Sequence, residues 1–191
     1  MNETTKWHQK RIDNGDYKKY IKGAILDVGC GNDPIKSPFG KETITWDLKE
    51  GDGKFLATLK DQVFDCVYAS HSLEHMDNIE IALQNWLRVL KPKGYLYIVV
   101  PDFELYEKGK WPSTYAGTSH LFSFSINLTC QEVQRMNHYN IMLDLFPIIK
   151  WLKCSIETVQ FGDEGFDYNF FDRDQTMGNA ESQITIIARK K

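Results

Sequence analysis

Residues 23–34 read GAILDVGCGNDP, and this stretch decides the fold. A short apolar run ends on an aspartate and is followed by Gly29 and Gly31. Glycines at such a turn let backbone amides approach a bound ligand closely. A second strand-like run, TITW at residues 43–46, is closed by Asp47, 16 residues after Gly31. An acidic residue at the tip of a second strand can accept hydrogen bonds from both ribose hydroxyls. The two runs therefore predict a turn that binds a nucleoside.

The spacing around this turn disfavours the common nucleotide cofactors. The dinucleotide fingerprint needs a third glycine where this chain has Pro34. Only about a dozen residues separate the turn from the second strand, so the first crossover helix must be short or absent. A pyrophosphate needs a well-formed helix N-terminus at that place, which argues against NAD and ATP. No G-x-x-x-x-G-K-[ST] segment occurs, so P-loop chemistry is excluded.

Five further runs predict the remaining strands of one sheet. The strongest, residues 94–102, is apolar without alternation in its central part, as expected for a parallel strand covered on both faces. The other four cover residues 54–59, 64–70, 154–161 and 182–190. The last two predict an antiparallel pair. The predicted fold class is α/β: a Rossmann-like, seven-stranded, mostly parallel sheet with an antiparallel last strand and helices on both faces.

Two helices are predicted from hydrophobic spacing and capping residues. Residues 77–90 carry apolar side chains at helical intervals, with Asp77 as the predicted N-cap, and complete a β-α-β unit. Residues 129–146 begin with Thr129 and Glu132, the pattern of a capping box.

The length and composition predict one domain covering residues 1–191. Within it we distinguish a polar N-terminal lead-in at 1–22, expected to hold one short helix, a lid-like loop at 103–128 and an insertion at 162–181. A net charge of −3 gives no basic surface for nucleic acid. The four cysteines form no C-x-x-C pair. The polar N-terminus and the lack of a long apolar run predict a cytoplasmic protein without a membrane span. A monomer or homodimer is expected.

Together with FDCVYASHSLEHM (64–76) and LRVLKPKGYLYIVVPD (87–102), the glycine turn resembles the class I S-adenosylmethionine-dependent methyltransferases. The match is to the small branch with a hydrophobic-D-x-G-C-G motif, which includes many methyltransferases of sugars and small metabolites. It covers roughly residues 23–102 and becomes loose after that. The resemblance implies S-adenosyl-L-methionine as the cofactor and a small-molecule or glycan substrate.

The resemblance also implies which residues contact the cofactor. Asp27 is expected to organise the turn, and Asp47 to bind the ribose. The end of the third predicted strand is expected to edge the adenine ring, although Ala57-Thr58 stand where relatives often carry an acid. The full predicted cofactor set is Asp27, Gly29, Cys30, Gly31, Asp47, Leu48, Leu56, Thr58, Ser70 and His71.

His71, Glu74 and His75 also spell H-x-x-E-H, a signature of zinc proteases. Such a site needs a third protein ligand and a regular helix that contains the motif. Here the motif directly follows a buried strand and precedes Asp77, the predicted start of the helix. We therefore expect no metal, with His71 at the ligand-binding end of a strand and His75 fixing its loop by hydrogen bonding. A zinc hydrolase remains the less favoured alternative.

Methyl transfer is a direct displacement that the protein promotes by alignment and exclusion of water. A hydroxyl acceptor benefits from a general base, and the predicted catalytic residues are His71, Asp102 and His120. Aromatic residues of the lid-like loop, Trp111, Tyr115, Phe122 and Phe124, could close over a sugar or another polar ring, and the insertion could shape the substrate mouth or a dimer contact. The predicted function is S-adenosylmethionine-dependent methyl transfer to a small polar acceptor, expected at a hydroxyl. A non-catalytic, cofactor-binding partner subunit is the other alternative.

Overall fold

A computed structural model describes residues 3–113, 117, 119–176 and 178–191. The main sheet has the strand order β2-β1-β3-β4-β8-β7. Its strands are β1 (Gly23–Val28), β2 (Gly40–Trp46), β3 (Phe64–Ser70), β4 (Leu90–Pro101), β7 (Cys154–Gly162) and β8 (Gln183–Lys190). A separate two-stranded sheet joins β5 (Ser123–Ser125) to β6 (His138–Asn140).

The first four strands of the main sheet are parallel, and β8 and β7 are antiparallel to their neighbours. The β1 strand lies between β2 and β3, so that Asp27 pairs with Thr45 on one side and Tyr68 on the other. The carboxyl ends of β1, β2 and β3 therefore meet at one edge, where open α/β sheets bind ligands. The Rossmann-like α/β class is confirmed at this level.

The prediction of seven strands in that sheet is wrong, since the described residues form six. The missing one is the run at residues 54–59, which forms consecutive turns. Asp52 holds these turns: its Oδ1 accepts from the Lys54 amide at 2.8 Å and its carbonyl accepts from Phe55 at 3.1 Å. Leu56 then takes a φ of 47°, which no extended strand allows. Local hydrogen bonding from an aspartate thus overrides the β propensity of the run.

The helix between β3 and β4 is present as α4 (Ile79–Val89). Its N-cap is Asn78, whose side chain accepts from the Ile81 amide at 2.9 Å, rather than the predicted Asp77. The Asp77 carboxylate pairs instead with the Lys54 ammonium of the turn region. The six buried residues of α4, Ile79, Ala82, Leu83, Trp86, Leu87 and Val89, cover one face of the sheet.

The predicted helix at 129–146 is largely wrong. Thr129 and Glu132 do form the reciprocal bonds of a capping box, with Thr129 N donating to Glu132 Oε2 at 2.7 Å. Only turns follow, because His138 is drawn into β6 and its ring is buried between Ser123 and Ser125 of β5. A π-helical turn (Ile141–Leu145) and α5 (Phe146–Trp151) come next.

The N-terminal segment is more than a polar lead-in with one helix. It forms three short helices, α1 (Glu3–Lys6), α2 (His8–Asp13) and α3 (Asp16–Lys19). Tyr17 and Tyr20 pack with Ile25 of β1 in the core of the sheet face opposite α4. Helices therefore lie on both faces, as predicted. None of the described helices is long and apolar enough to cross a membrane.

The described parts of both irregular segments contain buried side chains. In the lid-like loop, β5 pairs with β6 and Phe124 is fully buried. In the insertion, Phe166 and Ala180 pack against Leu105 of the loop. The predicted aromatic residue Tyr115 lies outside the described residues.

Candidate active site

The two glycines of the turn serve different purposes. Gly29 has a φ of 72°, and a Cβ there would overlap the Ser72 hydroxyl and lie 2.8 Å from Ser72 Cβ. Ser72 needs this space because its Oγ donates to the Val28 carbonyl at 2.7 Å. Gly31 has a φ of 53°, but a Cβ there would meet no atom within 4 Å. Gly29 therefore allows close packing, whereas Gly31 leaves open space for a ligand.

Asp47 faces this turn from the end of β2. Its Oδ2 accepts from the Gly31 amide at 2.6 Å and its Oδ1 accepts from the Leu48 amide at 2.7 Å. These bonds fix the carboxylate beside the glycine turn, at the place where a ribose would be held. Leu48 itself is 90% exposed, at the rim.

Asp27 lies beneath the turn rather than in a cavity. Its side chain is 1% exposed, and its Oδ2 accepts from the Ile35 amide at 2.7 Å. Burial raises the pKa of this carboxyl to about 7, despite the hydrogen bond, which favours the ionised form. Through this hydrogen bond, Asp27 fixes the segment that follows the glycine turn, at the position where a crossover helix would otherwise begin.

Two cavities adjoin at the carboxyl edge of the sheet. The first, about 420 Å³, is bounded by Trp46, Asp47, Gly51 and Met76. The second, about 390 Å³, is lined by Cys30, Asn32, Tyr106 and His120 and by Glu3 and Thr4 of α1. Gly29, Gly31, His71 and His75 line both cavities. We call them the ribose cavity and the polar cavity.

A larger cavity of about 790 Å³ lies between the first two helices and residues 34–38. It contains none of the predicted site residues, so cavity volume alone does not identify the functional site.

Most of the predicted cofactor residues line these two cavities. They are Gly29, Cys30, Gly31, Asp47, Leu48, Ser70 and His71. Leu56 and Thr58 do not: Leu56 is fully buried in the core, and Thr58 is exposed on the misassigned third strand. The indole of Trp46 and the loop that ends at Gly53 line the ribose cavity instead. Trp46 directly precedes Asp47 in the sequence. This position beside a predicted ribose-binding residue is the sequence feature that could have identified Trp46 as a lining residue.

The His71 ring is held in one tautomer. The Gln183 amide nitrogen donates to Glu181 Oε1 at 2.8 Å, which turns its oxygen toward His71 Nε2, 3.2 Å away. His71 Nε2 must therefore carry the hydrogen, and its Nδ1 carries the lone pair, 3.6 Å from Glu74 Oε1. Burial lowers the pKa of His71 to about 4, so the ring is neutral at pH 7.

Glu74 is the centre of a group of titratable side chains in which Glu74 and His120 are buried and His75 is exposed. Glu74 is fully buried, and burial raises its pKa to about 7. His75 Nε2 lies 4.0 Å and His120 Nε2 3.9 Å from its Oε1. The other nitrogen of His120, Nδ1, lies 2.6 Å from the buried carboxylate of Glu107. Glu74 was named from the sequence only as part of the H-x-x-E-H spelling, and Glu107, which belongs to no local motif, was missed.

Asp102 lies away from both cavities. Its Oδ1 accepts from the Glu104 and Leu105 amides at 2.9 and 2.8 Å. It therefore begins the loop after β4, and burial raises its pKa to about 7. Of the three residues predicted to be catalytic, the structure brings only His71 and His120 to the polar cavity.

The α/β sheet, the glycine turn and Asp47 have the arrangement expected of a nucleoside-binding site. Comparisons with known proteins indicate the class of protein more closely. A family model described as a methyltransferase domain matches residues 36–98. The match begins after the glycine turn and ends within β4. A comparison with curated protein sequences gives no match.

Solved structures share the fold at low sequence identity. An S-adenosylmethionine-dependent methyltransferase from Mesorhizobium loti is 13% identical, with a TM-score of 0.59 over 94% of this chain and 96% of the other. Phosphoethanolamine N-methyltransferase 2 from Haemonchus contortus, solved with S-adenosyl-L-methionine, is 15% identical, with a TM-score of 0.61 over 96% of this chain and 52% of the other. A chain of the Haloferax volcanii complex of the Trm112 methyltransferase activator with a methyltransferase is 12% identical, with a TM-score of 0.59 over 98% of this chain and 91% of the other.

The match to a methyltransferase-domain model over residues 36–98 supports the predicted methyltransferase, and the solved structures show that the chain shares their fold. They leave the methyl acceptor open.

Proposed function

We propose that the protein transfers the methyl group of S-adenosyl-L-methionine to a hydroxyl of a small polar acceptor, such as a sugar or a similar metabolite. The observation that carries this proposal is the junction of the two cavities at Gly29, Gly31, His71 and His75. A cofactor held by Asp47 in the ribose cavity would direct its sulfonium toward that junction. An acceptor in the polar cavity would then lie on the far side of the methyl group, as an in-line displacement requires.

The lining of the polar cavity favours an acceptor with hydroxyl groups. Cys30, Asn32, Tyr106 and His120 offer polar edges rather than a continuous apolar wall. Such groups orient a small polar molecule through hydrogen bonds and reject acceptors that leave them unpaired.

His71 is the proposed proton acceptor, because it lines both cavities and is neutral at pH 7. As the oxygen–carbon bond forms and the carbon–sulfur bond breaks, the hydroxyl proton passes to the His71 lone pair. S-Adenosylhomocysteine leaves as the second product. Glu74, 3.6 Å from Nδ1, would stabilise the imidazolium when ionised.

The test is transfer of a radiolabelled methyl group to matched panels of hydroxyl and amine acceptors. The proposal predicts methylated hydroxyl products and a fall in kcat of about 100-fold or more for His71→Gln. His8→Gln, a histidine outside both cavities, is the matched control and should keep full activity. Products formed only from amines would contradict the hydroxyl assignment. Cofactor binding without turnover on either panel would favour the non-catalytic partner subunit.

A further inference from the structure

We propose that Glu74, His75 and His120 form a binding site for one divalent cation of the zinc type at the floor of the polar cavity. Each residue offers one ligand atom, and these atoms all lie within 4.8 Å of one another. The site concerns metal binding and does not rest on the identity of the methyl acceptor.

The hydrogen bonds of the two histidines leave the correct nitrogen free on each ring. His75 Nδ1 lies 2.7 Å from the Ser119 carbonyl, which can only accept, so Nδ1 carries the hydrogen. His120 Nδ1 donates to the Glu107 carboxylate at 2.6 Å. Both Nε2 atoms are therefore lone-pair donors, and both point toward Glu74 Oε1 at 4.0 and 3.9 Å. A neutral imidazole in this tautomer is the form that ligates metals.

Among the described residues, the Glu74 carboxylate has only three imidazoles, those of His71, His75 and His120, at 3.6–4.0 Å to offset its burial. The residue is fully buried, and neither of its oxygens has a hydrogen-bond partner among the described residues. The distances of 3.9 and 4.0 Å to the two imidazoles are too long for a hydrogen bond. Metal–ligand bonds of about 2.0–2.1 Å would place tetrahedral ligands about 3.4 Å apart. The two Glu74–imidazole distances then need to contract by about 0.5 Å, and a separation at the 4.8 Å bound of the group would need to contract by about 1.4 Å. A bound cation would offset the cost of burying the charge.

The surrounding contacts hold the three ligands in place. The Glu74 carbonyl accepts from the amides of Leu121 and Phe122 at 2.8 and 3.2 Å, which ties the His120 segment to the turn after β3. Glu107 is buried and orients the His120 ring. A carboxylate or carbonyl behind each metal-bound histidine is the usual outer support of such sites.

Two histidines and one carboxylate are the ligands of open metal sites, which keep a position for water or substrate. His75 and His120 line the polar cavity, whereas Glu74 lies beneath it. The open position would therefore face the cavity and could hold an acceptor oxygen.

This ligand set differs from the H-x-x-E-H pairing suggested by the spelling of the motif. His71 adopts a φ of 51°, and its Nε2 contacts Gln183. Its Nδ1 lies 3.6 Å from Glu74 Oε1, but His71 is not part of the group whose ligand atoms all lie within 4.8 Å of one another. Residues 73–75 form only a short 3₁₀ turn, so His71 and His75 do not share a helix face. His120, 45 residues beyond His75, replaces His71 as the second imidazole.

The experiment is a titration of metal-free protein with Zn²⁺ alone, followed by calorimetry and by metal analysis after dialysis. One zinc per chain is expected. Glu74→Gln, which keeps the shape of the side chain, and His120→Ala should each weaken binding by at least the about 10–100-fold that loss of an outer-shell partner costs. His71→Ala and His8→Ala are matched controls and should retain one zinc at the original affinity. Circular dichroism checks that each variant is folded.

The proposal is overturned if the wild-type protein binds no zinc, or if Glu74→Gln binds it as tightly as the wild type. Loss of zinc in His71→Ala, with retention in His120→Ala, would assign the metal to the pairing suggested by the motif and would also overturn it. Cofactor binding, measured on the same metal-free samples, keeps failure here distinct from failure of the proposed methyl transfer.

Discussion

Three glycine-to-alanine substitutions separate the cofactor role of the turn from its structural role. Gly15, Gly29 and Gly31 all have a positive φ, of 74°, 72° and 53°. Alanine in this backbone region costs about 1–2 kcal/mol. An added Cβ meets no atom within 4 Å at Gly15 or Gly31, whereas at Gly29 it overlaps Ser72. Gly31 lines both cavities, and Gly15 lines neither.

The expected losses of stability follow from these contacts. Gly15→Ala and Gly31→Ala should each lower the melting temperature by about 5 °C, since each kcal/mol shifts a chain of this size by about 2–4 °C. Gly29→Ala adds an overpacking cost of about 1–3 kcal/mol and should lower it by about 10 °C. Only at Gly31 does the new methyl group point into the open space beside Asp47. Its cofactor affinity should therefore fall about 10–100-fold.

Thermal unfolding followed by circular dichroism, together with calorimetry using S-adenosyl-L-methionine, measures both quantities on each variant. The informative comparison is Gly31→Ala against Gly15→Ala, which share the backbone strain and differ in the cavity. Equal affinity for the cofactor in these two variants would refute the assignment of the turn. Equal melting temperatures for Gly29→Ala and Gly15→Ala would refute the packing argument at Ser72.

Three further predictions rest on single residues. Asp47→Asn should weaken cofactor binding by about 10–100-fold, because charged hydrogen bonds to the ribose are lost; an unchanged Kd by calorimetry would contradict this. Burial raises the pKa of Glu74 to about 7, above the value of about 4.3 expected in the unfolded chain. The metal-free wild type therefore loses stability through this group as the pH rises from about 4.5 to 7. Glu74→Gln should therefore gain stability relative to wild type across that window in urea unfolding, and a constant difference would exclude the raised pKa. Trp86→Phe should cost about 1–3 kcal/mol in the same assay, because the fully buried indole donates to the Gly53 carbonyl at 2.9 Å; a loss below about 0.5 kcal/mol would argue against that contact.

The parallel core of the fold was predictable because its strands are encoded locally. Residues 64–70 form β3 with the predicted bounds, and β1 and the Asp47 turn lie where their apolar runs and end residues indicate. Each signal spans fewer than ten consecutive residues, so no distant contact was needed to recognise it.

The errors arose where side chains override local propensity. At 129–146 a correct capping box does not lead to a helix, because His138 is buried between two serines of β5. At 54–59 the Asp52 turn outweighs an apolar run. The grouping of Glu74, His75 and His120 depends on the path of the loop after β4. Residue spacing in the sequence does not predict that path.

A crystal structure with S-adenosylhomocysteine, the product of methyl transfer, tests the central claim most directly. The account predicts the ribose hydroxyls on the Asp47 carboxylate, the homocysteine portion against Gly29 and Gly31, and the sulfur directed toward His71. Density for the ligand in the larger cavity between the first two helices and residues 34–38, or a ribose held away from Asp47, would contradict it.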